Sequence, residues 1–295
     1  MKNIIVITGG AGFVGSNLVS YFLKKTKYKI ISIDNYSSGT KKNHYRNKNV
    51  NYKNAHTKDI NLTLGKYKKK IKAIFHFGEF SRIYQSFLNM NDCIQSNTIG
   101  TNAVFDFCLK NNIKLIYSAT SASLGNKGKD KDLSPYAFTK SKNLEFLENL
   151  KKWFNFKCEV IFFYNVYGPN QISRGKMATV IGIFEECYLN NKPLPVVRPG
   201  SQSRRFTHID DTINVCIKAW KKNKCRYYSI SNKESFTIKE VAKLFNTKIR
   251  YLPRRKGERY ASALSSMSLN NKVNKNFGKV ALKDYITDFI KKHQN

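Results

Sequence analysis

Short apolar runs recur through the first 165 residues, each rich in β-branched side chains, with stretches of helical spacing between them. The runs 4–8, 29–34, 72–77, 113–118 and 159–163 read as strands buried on both faces, because they lack the apolar–polar alternation of a half-exposed strand. Between them, 14–25, 92–110 and 135–154 carry amphipathic helical patterns. Strand–helix alternation of this kind predicts an α/β fold: a doubly wound parallel sheet of Rossmann type, with ligands at the carboxyl ends of its strands. After residue 165 the pattern loosens. Prolines gather at Pro169, Pro193, Pro195, Pro199 and Pro253, and helices are expected near 177–190, 211–222 and 238–245.

Composition narrows the function. The chain has 295 residues, 41% of them apolar, which suffices for one large α/β unit with a smaller appendage. No apolar run approaches the ~20 residues of a membrane span. Met1 leads directly into a strand pattern with no signal-peptide anatomy, so a cytoplasmic protein is expected, with no membrane partner. The net charge of +34 resembles a nucleic-acid signal, but its distribution argues otherwise. Only 11 of the 53 basic residues are Arg, about thirty residues are Asn, and the lysines are scattered in pairs and triplets. That pattern describes solvated helix ends and loops; no nucleic-acid partner is expected, although such a field would steer an anionic substrate inward. The six cysteines (Cys93, Cys108, Cys158, Cys187, Cys216, Cys225) form no CxxC pair and no Cys/His cluster with ligand spacing. They are expected to be reduced and mostly buried, with no metal site.

Two motifs carry chemistry. The first strand runs into Gly9-Gly10-Ala11-Gly12-Phe13-Val14-Gly15, and a helix follows. Gly9 permits the tight exit from the strand, Gly12 admits a pyrophosphate to the backbone, and Gly15 lets helix and strand pack closely. The phosphates would sit at the helix N-terminus, among N–H groups without helical partners. The second strand ends in Asp34, placed to accept hydrogen bonds from both hydroxyls of an adenosine ribose and to repel a 2′-phosphate. NAD is therefore the expected cofactor. The second motif is Tyr136 and Lys140, at i and i+4 on one face of a helix. An ammonium beside a phenol stabilises the phenolate and would make Tyr136 a general base near neutral pH. Thr120, at the end of the fourth predicted strand, would bridge substrate hydroxyl and phenol.

With these residues in place the chain resembles the extended short-chain dehydrogenase/reductase family, in particular its NAD-dependent nucleotide-sugar epimerases and dehydratases, and most closely the UDP-hexose 4-epimerases. Further segments extend the likeness over nearly the whole chain: Asp34-Asn35-Tyr36-Ser37-Ser38-Gly39, Asp59-Ile60, Phe75-His76-Phe77-Gly78, Asn97-Thr98-Ile99-Gly100-Thr101, Tyr164-Asn165-Val166-Tyr167-Gly168-Pro169 and Arg204-Arg205-Phe206-Thr207-His208. The resemblance implies an NAD-binding domain over 1–165, to which 206–232 returns, and a smaller C-terminal substrate domain from 166–205 and 233–295. It implies a homodimer through long helices. It also implies roles. Phe13 and Val14 would cover the pyrophosphate, and Asp34 and Asn35 would hold the adenosine ribose, with Ser37, Ser38 and Gly39 as further cofactor contacts. Asp59 and Ile60 would flank the adenine. Phe77, Gly78 and Asn97 would line the nicotinamide half, with Tyr164 also on the cofactor and Lys140 on the nicotinamide ribose. Asn165, Met177 and Arg204 would meet the sugar nucleotide. Pro253-Arg254-Arg255-Lys256-Gly257-Glu258 resembles an Arg-x-Gly-Asp/Glu element in which Arg255 forks onto the diphosphate and Glu258 accepts from the nucleotide ribose. Four residues on, Ser262 would wall the hexose, leaving room for an N-acetyl group.

Departures from the family pattern select the chemistry. The family's dehydratases need an acid directly after the catalytic Thr, and here Ser121 and Ala122 follow. Arg174 stands where the ADP-heptose 6-epimerases have a Lys as second acid/base, and a guanidinium does not exchange protons at neutral pH. Glu79 is an unusual acid beside the nicotinamide, and Ser81 replaces a frequent Lys, with Arg82 next to it. The remaining expectation is epimerisation at C4 of a UDP-hexose, either glucose/galactose or their N-acetyl counterparts, through a 4-keto sugar, with Tyr136 taking and returning the proton. The alternatives are the heptose epimerase, a related reductase or dehydratase, and a catalytically silent NAD-binding regulator.

Overall fold

A computed structural model describes residues 3–123, 131–257 and 273–293. The larger part is one eight-stranded sheet built from β1 (Ile4–Thr8), β2 (Lys29–Asp34), β3 (Val50–Asn54), β4 (Ile71–His76), β5 (Lys114–Thr120), β6 (Cys158–Phe163), β11 (Tyr227–Ser231) and β14 (Val273–Phe277). The remaining strands form two-stranded pairs: β7 (Val166–Tyr167) with β10 (Thr207–His208), β8 (Leu194–Val197) with β13 (Ile249–Leu252), and β9 (Ser203–Arg205) with β12 (Ser235–Thr237). The helices are α1 (Phe13–Lys25), α2 (Ile60–Leu64), α3 (Ile83–Leu88), α4 (Met90–Ile94), α5 (Thr101–Lys110), α6 (Pro135–Phe154), α7 (Val180–Leu189), α8 (Ile209–Lys222), α9 (Ile238–Leu244) and α10 (Leu282–His293). Among the described residues no helix is long and apolar enough to cross a membrane.

The large sheet is parallel throughout, in the order β14-β11-β6-β5-β4-β1-β2-β3. The predicted fold class holds, and the five apolar runs are its central strands, with β4, β5 and β6 each displaced by a residue from the expected start. Their burial follows from layers on both faces. Tyr117, Phe105 and Val160 belong to the core on one side, and Phe22, Phe75 and Ile116 to the core on the other. From β1 the chain winds out to β2 and β3, then returns to the other side of β1 as β4. A cleft opens at the carboxyl ends where this direction reverses.

Three strands of the sheet were not legible as apolar runs. β3 and β14 are its edges, where one flank needs no apolar cover, and their sequences Val-Asn-Tyr-Lys-Asn and Val-Asn-Lys-Asn-Phe are correspondingly polar. β14 is held by pairing with β11, and its Asn274 and Asn276 amides donate to the carbonyls of Tyr227 and Ser229. It lies within 233–295, expected in the smaller domain, yet it closes the main sheet. The helix expected over 92–110 is not continuous. It is α4, then a π-helical turn over Gln95–Gly100, then α5. The wide turn fits a close approach at Gly100, where a Cβ would stand 2.2 Å from the Thr57 hydroxyl. Such π turns often mark functional sites, and this one aims Asn97 and Thr101 at the end of β4.

The smaller part has its own core around Tyr167, Phe184, Phe206 and Phe245. All six cysteines are free thiols, four of them buried.

Candidate active site

One continuous cleft of about 550 Å³ runs along the carboxyl ends of β1, β2, β4 and β5 and under the smaller part. Its floor at one end is the turn after β1. Gly9 adopts φ +71, which glycine alone adopts without strain, and a Cβ on Gly15 would lie 2.1 Å from the Gly9 carbonyl oxygen. These two glycines let α1 start directly against the strand. Gly12 caps α1 with no side-chain hydrogen bond, so the first-turn N–H groups of α1 stand at the cleft. That arrangement fits a dinucleotide pyrophosphate. Asp34 stands at the end of β2. Its carboxylate accepts from Ala11 N (2.9 Å) and Tyr36 N (2.8 Å), which holds it in place, while burial pushes its pKa up. Asp34 lines the cleft beside Asn35, Ser37 and Ser38, polar groups that suit a ribose diol.

Thr120, Tyr136 and Lys140 line the same cleft. β5 delivers Thr120 at its last residue. α6 delivers the other two, starting cleanly because Pro135 occupies the first turn and the Ser134 hydroxyl accepts from Ala137 N at 3.0 Å. The Tyr136 backbone N donates to the Ser86 hydroxyl at 3.2 Å, which ties α6 to α3. Lys140 is in a setting the sequence did not disclose. Its ammonium forms an ion pair with Glu79 Oε2, donates to the Ser118 carbonyl and lies 4.4 Å from the Tyr117 ring centroid. Both side chains of the pair are only 4% exposed. Burial pushes the Lys140 pKa down, and Glu79 opposes that.

Glu79 is fixed from behind. Its Oε1 accepts from Thr101 (2.9 Å), Tyr117 (3.0 Å) and Asn143 (3.4 Å). The Thr101 proton goes to Glu79, so His76 Nε2, 3.0 Å from Thr101 Oγ1, must be the donor to it. His76 Nδ1 then accepts from the Thr8 hydroxyl at 2.6 Å. Burial pushes His76 down to about 4, so the ring is neutral, as this chain of bonds requires.

Asn165, Arg204 and Arg255 also line the cleft. Asn165 follows β6 with φ +32 and its amide donates to the Arg205 carbonyl; Arg204 is carried in by β9; Arg255 follows β13 and lies over the Tyr84 ring. Arg82, at the N-cap of α3, also lines the cleft, with Nε and Nη2 on the Met177 carbonyl at 3.0 and 2.6 Å.

Of the residues expected at the site, Gly9, Gly12, Phe13, Val14, Gly15, Asp34, Asn35, Ser37, Ser38, Phe77, Gly78, Thr120, Tyr136, Lys140, Asn165, Arg204 and Arg255 line this cleft. Six stand elsewhere. Gly39 packs against the Asp34 carboxylate. Ile60 is fully buried in the core and Asp59 is the N-cap of α2; Ala55, His56 and Thr57 line the cleft instead. Asn97 is buried, its amide bridging the backbone of Phe80 and the Thr139 hydroxyl. Tyr164 is in the core on the opposite face from Phe163, which lines the cleft; adjacent side chains of extended chain point apart. Met177 offers its carbonyl to Arg82, while Ala178 and Thr179 line the cleft. Glu258 and Ser262 lie outside the described residues. Arg174, the residue at the heptose position, pairs with Glu186 at the surface. Glu79 and Arg82 were conspicuous in sequence only as departures from pattern, and their partners were not predictable from it.

Comparison with known proteins agrees with this fold. The model of the NAD-dependent epimerase/dehydratase family matches residues 5–231. Among solved structures the chain is similar to a UDP-glucose 4-epimerase from Thermotoga maritima determined with UDP-glucose, at 25% identity and TM-score 0.86 over 98% of this chain and 97% of that one. A UDP-glucuronic acid 4-epimerase from Bacillus cereus, in complex with UDP-glucuronic acid and NAD, shares the fold at 24% identity and TM-score 0.82, covering 98% and 99%. So does a dTDP-glucose 4,6-dehydratase from Streptomyces venezuelae, at 18% identity and TM-score 0.85, covering 98% and 96%.

Proposed function

The chain belongs to the NAD-dependent epimerase/dehydratase family, and we propose that within it the protein is a 4-epimerase of a UDP-hexose. The observation that supports this reading is that Thr120, Tyr136 and Lys140 line the same cleft as the glycine turn and Asp34. NAD is the cofactor of the family, and the residues fit it: the first turn of α1 for the pyrophosphate, Asp34 for the adenosine ribose, and Phe77 and Gly78 toward the nicotinamide. When bound, NAD supplies the oxidant for the sugar carbon and is restored within the turnover. Thr120 bridges the 4-hydroxyl to Tyr136, which takes the hydroxyl proton and returns it to the same oxygen once the 4-keto sugar has presented its other face. Asn165, Arg204 and Arg255 hold the diphosphate, about which the sugar turns.

The acids in the cleft favour epimerisation over dehydration. Elimination of water needs a carboxylic acid free to donate a proton. The described carboxylates lining the cleft are Asp34, at the adenosine end, and Glu79, held as the partner of Lys140. Neither is free to donate. The surface pairing of Arg174 removes support from the heptose reaction.

The protein is further proposed to act as a homodimer in the cytoplasm. Leu88, Met90, Ile94 and Ile99, with Phe138 and Phe146 of the adjoining α6, are exposed apolar side chains that support a helical interface. Incubation with UDP-, ADP-, GDP- and dTDP-sugars, followed by NMR, tests the activity. Equilibration of a UDP-hexose with its C4 epimer, without net change in NAD, is the expected result. Accumulation of a 4-keto-6-deoxy sugar would overturn it. Size-exclusion chromatography with light scattering tests the dimer.

A further inference from the structure

We propose that the face of the large sheet formed by the amino ends of its strands, opposite the cleft, docks on the surface of an anionic lipid bilayer. The expectation of no membrane partner rested on the lack of an apolar run long enough to span, and adsorption to a bilayer surface needs none.

Lysines scattered in the sequence are gathered here by the topology. In a parallel sheet every strand starts at one edge, and the helices that return the chain to that edge end there. Thus α1, α6 and α8 close with Lys24-Lys25, Lys151-Lys152 and Lys221-Lys222. The strand starts add a row of their own. Asn3 N donates to the Lys70 carbonyl and Lys29 N to the Asn3 carbonyl, each at 3.0 Å, so Lys70 and Lys29 flank the start of β1. Lys157 and Arg226 stand just before β6 and β11, and their carbonyls accept from Leu115 N and Val160 N, each at 3.0 Å. Apart from Lys151, which covers the Tyr227 ring, all these side chains are exposed. Eight strands at about 4.8 Å spacing give the face a width of about 34 Å.

A lysine in the last turn of a helix offsets the helix dipole, which accounts for the helix ends. It does not account for Lys29, Lys70, Lys157 and Arg226, which belong to strand starts. Nor does the chain neutralise this face. Among the described residues the acids at this end are Asp106, Glu148 and Glu159, and each is engaged. Asp106 pairs with Lys110 at 2.9 Å, and Glu148 accepts from the Tyr227 hydroxyl. Glu159 is fully buried against Lys114 at 2.7 Å and the N–H groups of Cys225 and Arg226. Unpaired like charges repel one another, and a surface of opposite charge turns that repulsion into attraction.

Two features favour a bilayer over a nucleic acid. Arg226 apart, the cations named on this face are lysines. A diffuse surface potential attracts an ammonium as well as a guanidinium, whereas paired contacts to phosphates and bases favour the planar fork of Arg. Apolar rings also stand among the charges. Trp153 is 62% exposed and Phe154 58%, directly after Lys151-Lys152 and shortly before Lys157. Such rings suit the boundary between headgroups and acyl chains while the neighbouring ammonium groups stay in water. Docking by this face leaves the cleft, at the carboxyl ends of the strands, turned away from the bilayer and open to a soluble substrate.

The test is co-sedimentation of the full chain with phosphatidylcholine vesicles containing about 30% phosphatidylglycerol, at about 0.15 M salt, against vesicles of phosphatidylcholine alone. Binding to the anionic vesicles only, and release at about 1 M salt, are expected. One lysine at an anionic bilayer is worth about fivefold, so Lys68→Gln, Lys69→Gln and Lys70→Gln together should lower the affinity about tenfold or more. Lys239→Gln, Lys243→Gln and Lys248→Gln remove the same charge from exposed positions of the smaller part and should change it by less than about threefold. Trp153→Ser with Phe154→Ser should lower it about fivefold or more with the oligomeric state unchanged. Equal losses in the two lysine variants would show that net charge alone drives binding and would overturn the proposal. So would a lack of binding to the anionic vesicles, or tighter binding to a DNA duplex of about 20 base pairs at equal phosphate concentration. Sedimentation needs neither NAD nor sugar, so its failure would leave the functional reading standing.

Discussion

Replacing Gly15 by Ala should damage both stability and NAD binding, and the structure sets the size of each effect. The added Cβ would stand 2.1 Å from the Gly9 oxygen, 2.7 Å from the Gly9 carbonyl carbon and 2.8 Å from the Gly10 Cα. All three are backbone atoms, which cannot swing aside as a side chain would. Gly9 has no room to retreat, because its own missing Cβ would lie 2.8 Å from the Phe77 carbonyl and 2.9 Å from Gly78 N. The strain must be relieved by α1 moving outward by about 1 Å, the shortfall from ordinary van der Waals contact. α1 carries Leu18, Val19 and Phe22, all fully buried, so that motion opens gaps along the helix. A cost of about 3 kcal/mol is expected. The unfolding entropy typical of globular proteins, taken for a chain of this length, converts that to a fall of about 5 °C in Tm. The same motion carries the first-turn N–H groups away from the pyrophosphate, and weakening one or two charged hydrogen bonds there lowers NAD affinity by about ten- to a hundredfold. Gly65→Ala is the control, because nothing lies within 4 Å of its Cβ position and its backbone is helical (φ −49, ψ −46). Ala there should be neutral or slightly stabilising. Thermal unfolding by circular dichroism and NAD titration by calorimetry measure both quantities. A Gly15→Ala protein with unchanged Tm and NAD affinity within about twofold would refute the argument that this glycine sets the helix against the strand.

Three further outcomes are expected. Tyr136→Phe should abolish epimerisation while NAD remains bound, since the dinucleotide contacts lie mostly elsewhere in the cleft; a rate above about a tenth of the parent would refute its role as base. Arg255→Ala should weaken UDP binding by one to two orders of magnitude, the worth of about 1.5–3 kcal/mol for a charged hydrogen bond, with NAD affinity little changed; calorimetry showing equal UDP affinity would move the diphosphate away from this residue. His76 is fully buried with its pKa pushed down to about 4, against 6.5 for the free side chain, so its contribution to stability is intact above pH 6.5 and is lost as pH falls from there toward 4. Up to about 3 kcal/mol is at stake, and the slope of unfolding free energy over that window should be shallower in His76→Asn; equal slopes would show that His76 does not titrate differently on folding.

Much of this protein is local in sequence, and that part was legible. A strand buried on both faces must be apolar along its whole length, so β1, β2, β4, β5 and β6 were visible as runs. The glycine turn is a contiguous segment whose sterics are set by its own backbone, and Tyr136 and Lys140 share a face because a helix places i and i+4 together. The two polar edge strands were not legible, since their strand character comes from the neighbour they pair with. The surroundings of Lys140 were not legible either. Periodicity placed the ammonium beside the phenol and said nothing of Glu79, 61 residues earlier. That carboxylate arrives there because β4 and β5 pair in parallel, with His76 beside Tyr117, while α6 packs against β5 and the π turn before α5 leads into Thr101. The sequence by itself determined which groups could do chemistry. Only the tertiary structure decided which charge faces which, because a buried charge takes its character from the partner that folding brings within hydrogen-bond distance, wherever in the chain that partner lies.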